Sequence, residues 1–123
     1  MSHEYLGNQE IKISTATEYP VGLIFEVKFE EFSVKLSSLP GSELLFSIPE
    51  GPFARTEKVR FDVVTLRPGI FLVSWHEASG ATVVHIEDFV RMVVYSYATL
   101  PNGGFLKMQA PIRVTDLVGG LAT

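Results

Sequence analysis

The sequence predicts an all-β protein, an antiparallel up-and-down β-barrel of eight or nine strands. Three observations carry that expectation. Val, Ile, Phe, Tyr, Thr and Trp make up 43 of the 123 residues, side chains that fit a pleated, half-buried surface. Turn chemistry recurs at short, regular intervals, and the runs between turns alternate apolar and polar residues with a period of two. Short connections favour a meander over the long crossovers of a sandwich. A meander escapes two exposed edges by closing on itself. About eight strands leave room inside for one small ligand.

The first run that reads as a strand is 10–15. The second, 22–30, alternates Leu23, Phe25, Val27 and Phe29 with Ile24, Glu26 and Lys28. A third, 32–37, precedes the Pro40-Gly41 turn, and a fourth, 42–48, places Leu44, Phe46 and Ile48 on one face. Pro49-Glu50-Gly51-Pro52 then breaks the chain before 57–66. Arg67-Pro68-Gly69 leads into 69–77, and Ala78-Ser79-Gly80 reverses it into 81–88. The strands 91–99 and 104–114 are separated by Pro101-Asn102-Gly103-Gly104. One domain, 1–123, is expected, with loose termini at 1–9 and 117–123.

Composition narrows the chemistry. The chain carries a net charge of −4 and a pI near 5.3, without the basic footprint of a nucleic-acid binder. No apolar run reaches the roughly 18 residues of a membrane-spanning helix, and the polar, acidic start does not read as a signal peptide. Cysteine is absent, so disulfides and thiolate metal sites are excluded, and a cytoplasmic setting is expected. His3, His76 and His85 lack metal-ligand spacing. No metal or cofactor is expected, and no nucleotide loop or nucleophile-elbow motif occurs.

The hairpin 70–88 holds the most informative polar residues. If 77 opposes 81, one face carries Phe71, Val73, Trp75, Glu77, Ala81, Val83, His85 and Glu87; the other carries Ile70, Leu72, Ser74, His76, Thr82, Val84, Ile86 and Asp88. Trp75 offers an apolar wall with one donor, Glu77 a carboxylate and His85 a titratable ring. Tyr95 and Tyr97 share a parity on the next strand, and the Phe89–Arg91 turn leaves their direction open. Glu87-Asp88 beside that turn reads most simply as a solvated flank. The second apolar face calls for a partner surface, and a homodimer is expected.

The stretch Leu66-Arg-Pro-Gly-Ile-Phe-Leu-Val-Ser-Trp75-His-Glu77-Ala-Ser-Gly80-Ala-Thr-Val-Val-His85-Ile-Glu-Asp88-Phe89 resembles the central hairpin of the MoaF-like family and, more distantly, of the phenolic acid decarboxylases. Both are lipocalin-like (calycin) barrels, so the resemblance implies that fold. It also makes Glu77 the counterpart of the decarboxylases' pocket carboxylate and Arg55 that of their arginine. Their paired tyrosines do not carry over, because Phe25, Val27 and Phe29 occupy that strand.

The preferred expectation is a non-catalytic barrel for a small apolar or aromatic molecule. Phe25, Phe29, Phe61, Phe71 and Trp75 would form its walls, with Glu77, His85 and Arg55 at its polar end and Tyr95 and Tyr97 as further candidates. One alternative is a lyase acting on an aromatic or unsaturated acid, with Glu77 as general acid or base. Another is a ligand-free oligomerisation module.

Overall fold

A computed structural model describes residues 13–117. Eight strands form one closed antiparallel barrel in sequence order. They are β1 (Leu23–Lys28), β2 (Ser33–Leu39), β3 (Glu43–Ile48), β4 (Arg55–Arg67), β5 (Ile70–His76), β6 (Thr82–Asp88), β7 (Val93–Thr99) and β8 (Phe105–Leu117). β8 pairs with β1, with a register shift at Ile24/Phe25, and this closes the ring; β4 and β8 each pair with one neighbour through the first half and with the other through the second. The all-β barrel expectation holds, with eight strands rather than nine. Within the expected strand 10–15, residues 13–15 are helical and 10–12 lie outside the described residues.

The period of two does the sorting. Leu23, Phe25 and Val27 of β1, Leu44, Phe46 and Ile48 of β3, and Phe71, Val73 and Trp75 of β5 all point inward and are buried. The expected hairpin register also holds, with Trp75 opposite Val83 and Val73 opposite His85. On the outer face, Val64, Leu72, Ile86 and Tyr95 lie side by side across β4 to β7.

The two ends of the barrel differ. At one end the segment before β1 folds across the opening. Ile13 is fully buried there, Tyr19 packs edge-on against Phe71, and Phe89 meets both Phe25 and Phe71. Ser38 ties this segment in by accepting from Leu23 N–H and donating to the Pro20 carbonyl. Gly69, with φ +82°, donates to Ala16 O and accepts from Phe89 N–H. A side chain at position 69 would run into the backbone of Ser14. Hence the β4–β5 turn needs glycine both for its left-handed backbone and for the close approach.

Leu117, expected in a loose terminus, instead ends β8 with 1% exposure; residues 1–9 and 118–123 lie outside the described residues. Among the described residues no helix is long and apolar enough to cross a membrane.

Candidate functional site

The opposite end carries the turns β1–β2, β3–β4, β5–β6 and β7–β8, and between them a pocket enters the barrel. Its walls include Phe29, Phe46, Trp75, Leu106 and Met108, with Phe32 and Phe53 near the mouth. Its polar members are Arg55, Glu77, His85 and Ser96. The cavity volume is about 70 Å³, roughly half of the ~150 Å³ in which an engineered protein cavity holds benzene. A ring seated here therefore extends toward the mouth.

At the rim Arg55 and Glu77 form an ion pair through Nη2 and Oε1. Glu77 Oε2 also accepts from the Trp75 indole N–H at 3.1 Å. Arg55 Nη1 donates to the Phe53 carbonyl at 2.8 Å, Nε lies 3.6 Å from Glu57, and the guanidinium sits 5.2 Å from the Phe46 ring centre. The resulting corner is rigid, since the indole is fixed by a hydrogen bond on one side and near-parallel packing with Phe46 at 6.2 Å on the other.

Deeper in, the His85 ring meets Trp75 edge-on, with 4.9 Å between centres. His85 Nδ1 lies 3.0 Å from Glu87 Oε2. Glu87 Oε1 accepts from the Tyr19 hydroxyl at 2.5 Å. A carboxylate oxygen can only accept, so Nδ1 carries the hydrogen, and in the neutral ring Nε2 then presents its lone pair. Burial of its hydroxyl, together with the Glu87 charge, pushes Tyr19 well above the usual tyrosine range. The chain Tyr19–Glu87–His85 thus runs from the plugged end to the pocket.

Of the residues singled out from the sequence, Arg55, Trp75, Glu77 and His85 come together in the pocket. Phe25 and Phe71 are fully buried in the plugged end, not among the pocket residues. Phe61 packs against Tyr19 and lines a separate groove with Thr17, Tyr19 and Ser38. Tyr95 and Tyr97 point outward, Tyr97 stacking on Phe105. Their parity leaves Ser96 inward, opposite His85.

The solvated-flank expectation for Glu87-Asp88 is corrected as well. Glu87 is 0% exposed, and buried Asp88 receives Val90 N–H, Arg91 N–H and the Arg91 guanidinium. Sequence reasoning missed Tyr19, Ser96 and the role of Glu87. The hairpin register does place Glu87 on the inner face, whereas nothing in the sequence fixes the register that brings in Ser96.

Residues 21–113 match the MoaF-like family. The chain belongs to the MoaF-like family. Among solved structures it is similar to a “putative beta-lactamase” from Burkholderia vietnamiensis, with a TM-score of 0.74 and 25% identity. That match covers 77% of this chain and 94% of the Burkholderia one. Among curated proteins, no sequence matches the chain. The family match includes every pocket residue, from Phe29 to Met108.

Proposed function

We propose that this MoaF-like barrel binds a small, mainly apolar or aromatic molecule without transforming it. The observation that carries this reading is the apolar pocket at one mouth, floored by a few convergent polar groups, the usual form of a small-molecule site. Trp75 is the sole tryptophan and lines that pocket, so occupancy is expected to change its emission saturably. Trp75 emission that stays constant across a panel of small aromatic and aliphatic compounds would remove the reading.

Two enzymatic readings have less support. A lyase using Arg55 to hold a substrate carboxylate must first displace Glu77, which is also held by the indole. The name of the Burkholderia relative points to lactam hydrolysis, which proceeds through a Ser-x-x-Lys nucleophile or a metal-bound water. No Ser-x-x-Lys occurs in the sequence. Among the described residues, no three or more His, Cys, Asp or Glu group as a metal site.

The outer stripe Val64, Leu72, Ile86 and Tyr95 supports pairing of two copies through that face. Light scattering at micromolar concentration should then give twice the chain mass, and a monomer mass would count against it. The cysteine-free, acidic composition supports a cytoplasmic setting.

A further inference from the structure

We infer that His85 Nε2 and Ser96 Oγ form a hydrogen-bonding subsite at the pocket floor for a neutral hydroxyl group carried on an apolar ring. This rests on the small-molecule reading above and names the class of molecule.

His85 and Ser96 are directly opposed on β6 and β7, both on the inner face and both lining the pocket. They are 3% and 2% exposed. Buried polar atoms are normally met by a partner. Here Glu87 engages only His85 Nδ1. Among the described residues, neither Nε2 nor Ser96 Oγ has a hydrogen-bond partner.

The ring cannot readily turn to hide Nε2, because Glu87 is itself held by the Tyr19 hydroxyl and the Trp75 edge packs against the imidazole. Comparable buried groups nearby are all answered: Ser38 by Leu23 and Pro20, Asp88 by Val90 and Arg91. The two unanswered atoms are the ones that face the pocket.

Their chemistry selects the guest. In the neutral ring with its hydrogen on Nδ1, His85 offers Nε2 as an acceptor, while Ser96 can donate or accept. A hydroxyl donates to Nε2 and accepts from Ser96 at the same time. A hydrocarbon would leave both atoms unmet. A carboxylate has no hydrogen for Nε2, and it would bring negative charge toward buried Glu87. The rim does not favour an anion either. Its one guanidinium is bound by Glu77 and Phe53 O and flanked by Glu57.

The test compares 4-methylphenol, toluene and 4-methylbenzoate on the full chain, by Trp75 emission and calorimetry, in wild type and Ser96→Ala. Removing one small hydroxyl from a strand keeps the barrel assembled, which circular dichroism can verify. The phenol is expected to bind at least about 10-fold more tightly than toluene in wild type. In Ser96→Ala that margin should shrink to about threefold or less, and the benzoate should bind most weakly throughout. Nitrogen-15 spectra should show His85 Nε2 unprotonated and moving on addition of the phenol but not of toluene.

Equal binding of phenol and toluene would overturn the subsite while leaving the small-molecule reading intact. So would tightest binding of the benzoate, or a phenol preference untouched by Ser96→Ala. No binding by any probe would overturn both.

Discussion

The two ends of the barrel are built from the same alternating strands and put their inward residues to different use. At the plugged end, Phe25, Phe71 and Phe89 pack edge to face, and the segment carrying Tyr19 closes over them. The charge buried there, Glu87, is satisfied by a hydroxyl and an imidazole. At the open end aromatic residues also pack in pairs, Phe29 on Phe32, Phe32 on Phe53 and Phe46 on Trp75, yet together they surround a cavity, and the ion pair sits where Arg55 still reaches water. The contrast teaches that burial alone does not mark a site. The plugged end is the more buried, but its polar atoms are answered, whereas the pocket floor keeps two that are not.

The largest test of that contrast removes a carboxylate from each end. Glu87→Ala leaves two buried donors unmet and should cost about 3–5 kcal/mol in urea unfolding. Glu77→Ala should cost less, because Arg55 can turn to solvent and the Trp75 indole N–H is the one buried donor left unmet. Equal losses would erase the distinction.

Two glycines with positive φ provide the next comparison. Gly69→Ala at the plugged end should lose about 1–3 kcal/mol through backbone strain and, beyond that, push away Ser14. Gly51→Ala in the β3–β4 loop meets open space and should show the strain alone. A thermal melt in which Gly51→Ala is the worse variant would contradict the plug.

A smaller effect is expected in alkali. Folded Tyr19 holds its proton more tightly than the unfolded chain does. Its contribution is therefore fully present below about pH 10 and declines as pH rises further. Stability of the wild type should fall above that point, and Tyr19→Phe should fall less steeply from this source; parallel curves would show that the hydroxyl is not shielded. The smallest change belongs to the outer wall. Tyr97→Ser should shift stability by no more than about 0.5 kcal/mol and leave the Trp75 response to ligand unchanged. A weakened response would mean that the outer face takes part in binding.

Much of the barrel is legible in the sequence because the pleat writes its period directly. Leu23 to Phe29 and Leu44 to Ile48 announce their inner faces, and the Gly80 turn sets the 70–88 register that joins Trp75, Glu77 and His85. The β6–β7 reversal is harder to read. It uses Met92 at φ 57°, where no glycine or asparagine marks the turn. Without that register, Tyr95 and Tyr97 compete equally with Ser96 for the interior, and a phenol pair draws more notice than a lone serine.

Glu87 fails for another reason. Its parity points inward, but an acidic pair beside a turn resembles a solvated flank until Tyr19, 68 residues away in sequence, supplies its partner. The expected strand 10–15 misleads in the opposite sense, since so short a run does not tell a strand from the helical turn found at 13–15.

The seam between β1 and β8 has a consequence for how the molecule comes into being. Glu26 and Arg113, paired across it, are 87 residues apart in sequence, while every other strand pair is formed by chain neighbours. Local hairpins can zip early, whereas this join must wait for the longest loop to close. Until it does, the molecule is a curved ribbon with two bare margins and no chamber. Capacity to take up a guest therefore depends on this one join, and uptake reports that the ring is complete.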